Sequence, residues 1–210
     1  MACTRIAGAV VVGLGALVLI IVASTPAATR IIRAQLDGDG AIELVKRLET
    51  LAPTSEGPET SGCSHLRIVD GARSQRLTPS TASYSSYCLY VMQLSVRDLT
   101  GDGRADVVWT TNITGGRANR IGVHTWNGRT ARRIFSEIPG EIGGGRFSFL
   151  PTATILPPRR GLRELKVSDG VHEANDALCC PTFIRTRRFR WNGRRLALVP
   201  KSTNFKRLKT

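Results

Sequence analysis

The chain has 210 residues, enough for one domain with a sizeable core and too few for two full-sized domains. Thirty Lys and Arg stand against 16 Asp and Glu, giving a formal charge of +14 and a pI of about 10.7. Such a balance attracts polyanions and says nothing about fold, so location must separate nucleic acid from an anionic membrane or envelope polymer as partner.

Location is written at the amino end. After Arg5 the run from Ile6 to Ala23, IAGAVVVGLGALVLIIVA, carries no charged or strongly polar side chain, and the small-residue stretch STPAAT follows. This is the pattern of an export signal over residues 1–28. Its length lies between a cleaved signal and the roughly 20 residues of a bilayer-spanning helix, so a retained signal-anchor is the alternative. Arg30 and Arg33, just beyond the run, favour cleavage over a stable span. Cys3 precedes the run and so cannot be a lipobox cysteine. The expected location is exported, extracellular or at the cell envelope.

Residues 29–62 read as a short amphipathic helix and a linker. AIELVKRLETLA places Ile42, Val45, Leu48 and Leu51 at helical spacing, with Asp37 and Asp39 as N-terminal cap and Pro53 as stop. TSEGPETSG, residues 54–62, is loop by composition. From residue 63 to 200 the chain reads as strands: 65–69, 88–97, 105–112, 120–126, 131–136, 146–155, 163–168, 183–191 and 194–199, all short, alternating and punctuated by Gly, Asn and Pro. Asp70 to Ser86 reads as a surface loop, and 201–210 as a basic tail. The fold class expected is mainly β, an antiparallel meander or sandwich-like domain after one short helix.

Setting Cys3 aside, Cys63, Cys88, Cys179 and Cys180 make an even number behind an export signal, which predicts two disulfides. A bond between adjacent Cys179 and Cys180 would be strained, so each is expected to reach back to Cys63 or Cys88. A metal reading of these cysteines, with His172, lacks any CxxC spacing. One internal echo stands out: VHTWNGRTARRIF (123–135) and RFRWNGRRLALV (188–199) each carry strand, Trp-Asn-Gly-Arg, strand. Asn-Gly signals a hairpin of type I′, with Trp126 and Trp191 closing the hairpin ends as core residues.

The stretch with the most chemistry is DLTGDGRADVV, residues 98–108, where a basic chain gathers Asp98, Asp102 and Asp106. Calcium takes six to eight hard oxygen ligands, and a loop supplies them by alternating carboxylates with glycines that let the backbone wrap the ion. Asp98, Thr100, Asp102, the carbonyl of Arg104 and Asp106 have that spacing. An EF-hand is excluded because its twelfth position, a bidentate Glu, is Trp109 here. The bare alternative is a tight turn, for which Asp, Thr and Gly are favoured without any ion.

Asp98 to Val107 resembles the D-x-N-G-D-G-x-x-D-[LV] calcium loop of FG-GAP and VCBS repeats, found in hairpins of integrin-like propellers and exported bacterial proteins. The resemblance covers roughly residues 88–128 and implies ligation at Asp98, Asp102 and Asp106, a backbone oxygen from Arg104, and a weaker ligand at Thr100, where the family prefers Asn or Asp. With the Cys-Cys-Pro at 179–181 and the R-W-N-G-R after it, the chain is also similar to exported actinobacterial proteins of unknown function. A full propeller is excluded by length, since it needs at least four blades of about 40 residues. QLDGDGAIELV, residues 35–45, aligns with the loop and offers Asp37, Asp39 and Glu43 as either helix cap or second ion site.

Residues 181–210 hold ten Lys and Arg and no Asp or Glu. Arg185, Arg187, Arg188, Arg190, Arg194 and Arg195 fall on an expected hairpin, either as a solvated face or as a patch for an anionic envelope polymer or membrane surface. Nucleic acid would use similar charge, but an exported protein seldom meets it. The three histidines, His65, His124 and His172, sit in no nucleophile or zinc motif. Glu137 and Glu141 are the one candidate acid/base pair. The function expected is a non-catalytic exported β-domain with a structural calcium loop, with a membrane-anchored envelope hydrolase or inhibitor as the alternative.

Overall fold

Short β-branched and aromatic runs separated by glycine turns leave the chain little choice but antiparallel pairing, and the computed structural model is built of such strands. It describes residues 30–51, 62–78, 89–113, 120–137, 141–143, 146–158, 162–177 and 180–208. Three antiparallel sheets follow one another along the chain. Sheet I holds β1 (Arg30–Ala34), β2 (Glu43–Leu51), β3 (Gly62–Asp70) and β4 (Arg73–Arg76), paired in that order. Sheet II holds β5 (Leu89–Arg97), β6 (Asp106–Ile113), β7 (Arg120–Trp126) and β8 (Ala131–Glu137), again in sequence order. Sheet III holds β9 (Glu141–Gly143), β10 (Arg146–Ile155), β11 (Glu164–His172), β12 (Phe183–Trp191), β13 (Leu196–Leu198) and β14 (Asn204–Arg207). Its path is β9-β10-β11-β12-β13, and β14 also pairs with β12.

Sheet II lies between the other two, and its central strands β6 and β7 are buried on both faces. On β6 the alternation sends Val107 and Trp109 into a core with Val45, Leu66 and Ile68 of sheet I, and Val108 into a second core with Leu165, Val167 and Phe189 of sheet III. Each core buries several large side chains, at roughly 1.5–3 kcal/mol apiece. Gly122 on β7 is what lets Trp109 lie flat across its neighbour: a Cβ there would come 2.2 Å from Trp109 Cζ2. Trp126 is buried in the first core as expected, and Trp191 packs against the second.

Three expectations change. The helix expected within 41–52 is strand β2, hydrogen-bonded to β1 on one side and β3 on the other. Its period of three was an accident of Ile42, which is 59% exposed, while Glu43 and Val45 point into the core at strand alternation. Residues 30–51 therefore belong to the β-domain itself. Within the expected surface loop, Arg73–Arg76 form β4, and Leu77 and Thr78 are buried. Within the tail, Asn204–Arg207 pair with the first half of β12.

The two WNGR hairpins also differ in detail from a type I′ turn. Only the glycines, Gly128 (φ +79°) and Gly193 (φ +89°), are left-handed. Asn127 and Asn192 instead accept two backbone N–H bonds each through Oδ1, at 2.8–3.0 Å. The export segment at 1–28, Cys88, Cys179 and the side chain of Cys63 lie outside the described residues. No helix among the described residues is long and apolar enough to cross a membrane.

Candidate metal centre and charged surfaces

Two loops at one end of the molecule carry the acidic residues. Loop one joins β1 to β2 through Gln35–Ile42, and loop two joins β5 to β6 through Asp98–Ala105. They follow the same backbone path. Gly38 and Gly40 have φ of +86° and +92°, and Gly101 and Gly103 have +80° and +82°. Three side-chain bonds repeat as well. The N–H of Gly38 donates to Gln35 Oε1 and that of Gly101 to Asp98 Oδ1. Ala41 N–H donates to Asp39 Oδ1 and Arg104 N–H to Asp102 Oδ1. Leu36 N–H donates to Glu43 Oε2 and Leu99 N–H to Asp106 Oδ2. The sequence echo at 35–45 is therefore a structural repeat, placed at the same corner of adjacent sheets.

The loops also touch. Ala105 N–H donates to the Gln35 carbonyl at 3.0 Å, and the Arg104 side chain lies over Gly38. On the other side of loop one, Gly128 of the β7–β8 turn packs against Asp37 Oδ2 with no room for a Cβ, and Arg73 Nη1 donates to the Gly128 carbonyl at 2.6 Å.

The acids are used differently in the two loops. In loop two Asp98 turns its two oxygens to the N–H groups of Gly101 and Gly103, at 2.6 and 2.9 Å. Thr100 Oγ1 lies 3.5 Å from Asp98 Oδ1. Asp106 Oδ2 accepts from both Leu99 and Thr100, and burial pushes its carboxyl up to about 7 despite those bonds. In loop one Asp37, Asp39 and Glu43 each bring an oxygen within 4.8 Å of the other two. Among the described residues this is the one set of three acidic, His or Cys side chains that converges so, and Asp98, Asp102 and Asp106 do not. Glu43 is fully buried, and its Oε1 has no hydrogen-bond partner. Burial, then Asp37 and Asp39, raise its pKa. A buried carboxylate with one oxygen lacking a donor, set beside two more carboxylates, is an environment a hard cation satisfies. Sequence reasoning saw these residues but took Glu43 for helix; the signal was the alignment with loop two.

Four of the six arginines of the basic hairpin are held in ion pairs. The β11–β12 register sets Asp169 opposite Arg185 and Glu164 opposite Arg190. Asp169, with a side chain 0% exposed, holds Arg185 Nη2 at 2.6 Å and Arg187 Nη2 at 3.0 Å. Glu137 on β8 also pairs with Arg187, so these four side chains tie sheet II to sheet III. Arg188 and Arg190 pair with buried Glu164 on the other face. Of the six arginines, Arg190, Arg194 and Arg195 are exposed, the last two in the turn. Glu137 is thus an ion-pair partner, and the side chain of Glu141 lies outside the described residues. The histidines are apart: His65 is half-buried on sheet I, His124 accepts from Trp109 Nε1 in the core at 3.2 Å, and His172 is buried at the end of β11.

No family model matches the sequence, and no curated protein matches it. Among solved structures the chain is similar to rhamnogalacturonan lyase YesW at 13% identity and a TM-score of 0.37, over 80% of this chain and 41% of that one. The chain thus spans less than half of that protein, and a likeness of this size carries no argument about what the chain does.

Proposed function

We propose that the protein is a non-catalytic, exported β-module whose acidic loops hold calcium, and that it serves as a binding or structural domain at the cell envelope. The observation that carries the calcium reading is the loop-one triad, in which buried Glu43 converges with Asp37 and Asp39 and has one oxygen, Oε1, without a hydrogen-bond partner. Loop two enters the reading through its donor set, Asp98, Thr100, Asp102, the Arg104 carbonyl and Asp106, and through its resemblance to FG-GAP and VCBS loops. The ion's role would be bracing: each loop joins the first two strands of a sheet, and the loops bond to each other between sheets. Export rests on the apolar run from Ile6 to Ala23, and the envelope partner on the +14 charge.

Calcium titration of the full chain in nonionic detergent, followed by calorimetry, tests this. The reading predicts saturable binding in the range of weak extracellular sites, roughly 0.1–1 mM. Asp39→Ala should remove binding at loop one and Asp102→Ala binding at loop two. No heat of binding in the parent at millimolar calcium would end the calcium reading.

A further inference from the structure

The arginines of β12 were the obvious cationic surface, and all four are engaged in ion pairs with Asp169, Glu137 and Glu164. A second group of cations lies on the face of sheet I turned away from sheet II. Register sets Lys46 of β2 directly opposite Arg67 of β3, and Arg67 directly opposite Arg76 of β4. Three cations thus form one row across three strands, and Arg33 of β1 adds a fourth on the same face. Like charges directly opposed across strands are destabilising.

Among the described residues, no acid on this face relieves that repulsion. The acids of these strands, Glu43, Glu49 and Asp70, stand at positions of the opposite alternation. None of Lys46, Arg67 and Arg76 forms an ion pair among the described residues, and the Nε atoms of Arg67 and Arg76 are buried with no hydrogen-bond partner. Arg67 Nη1 reaches only the Ser74 hydroxyl, at 3.1 Å. The row therefore holds an ammonium and two guanidinium groups with no carboxylate acceptor among the described residues, on a surface half open to solvent.

We propose that this face binds a linear acidic polysaccharide laid across the strands, with successive carboxylates on Lys46, Arg67 and Arg76. Neighbouring strands are about 4.8 Å apart, close to the advance of one sugar ring along an extended chain. Apolar side chains flank the cations, Leu44 opposite Val69 on one side and Leu48, opposite His65, on the other. They give sugar rings a C–H surface that a bare phosphate chain would not use. The inference rests on the binding-module reading and names its partner; it is independent of calcium.

The test is binding of the full chain, in nonionic detergent with chelator, to alginate and to polyphosphate at low salt. The expected result is salt-dependent binding to alginate that weakens by about tenfold or more in Lys46→Gln/Arg67→Gln/Arg76→Gln, and by less than about twofold in Arg194→Gln/Arg195→Gln. The triple variant should unfold no earlier than the parent, because repulsion is removed, and Arg67→Gln alone should give part of the loss. Alginate binding that survives the triple variant would overturn the placement while leaving the binding-module reading intact. Equal or tighter binding to polyphosphate would overturn the choice of polymer, and binding to neither would overturn both.

Discussion

Burial forces two titratable side chains in sheet II away from their ordinary range in opposite directions, and this sets how the protein responds to acid. His124 is held neutral in the core, its pKa lowered to about 4 from 6.5, chiefly by desolvation and then by Arg133. Its contribution to stability is fully present above pH 6.5 and is lost as pH falls to about 4, at about 1.4 kcal/mol per pH unit. Asp106 is raised from 3.8 to about 7, so its ionisation costs stability above pH 7, and that cost shrinks as pH falls. The two slopes oppose each other between pH 6.5 and 4. In chelator, Asp106→Asn should therefore lose about 3 kcal/mol more than the parent between pH 7 and 4, and His124→Gln about 3 kcal/mol less, by urea unfolding at each pH. Parallel profiles for all three proteins would show that neither group is held as described. Gly122→Ala tests the packing beside them: its Cβ would meet the Trp109 ring, and a loss of about 1–3 kcal/mol is expected in the same assay. Gly122 was not legible as a packing residue, because nothing in the sequence says which ring crosses it.

Among the elements, the strands that alternate cleanly were legible, and β7, β10 and β12 run over the residues their composition suggests. Loop two was legible too, since its glycines need left-handed backbone that other residues resist. Strand β2 was not: Ile42, Val45 and Leu48 fit a helix as well as a strand, and only pairing with β3 across a long connection decides between them. The ion pairs of the β12 arginines were not legible for a similar reason, because their partners Asp169 and Glu164 lie 16 to 26 residues away on β11. Asp169→Asn should cost about 3–5 kcal/mol, leaving Arg185 and Arg187 without their shared buried carboxylate. Arg194→Gln, in the exposed turn, should change the urea midpoint hardly at all. An Asp169→Asn variant as stable as the parent would mean that the network does not tie sheet II to sheet III.

The whole molecule is a stack of three sheets, with two cores meeting on either side of sheet II. Loops one and two stand at the same end, each at the first turn of its sheet, and a cation at either would brace the junction of sheets I and II rather than one hairpin. Stability should then depend on calcium globally, through mass action on the folded state. The most direct measurement is thermal unfolding of the full chain in nonionic detergent with 5 mM calcium and with chelator, for the parent, Glu43→Gln and Asp102→Ala. A rise of several degrees with calcium is expected in the parent. Glu43→Gln should lose much of that rise, yet in chelator be no less stable than the parent because a neutral amide replaces a buried carboxylate. Identical parent curves with and without calcium would contradict a bracing cation, leaving the acids of both loops as shapers of turns.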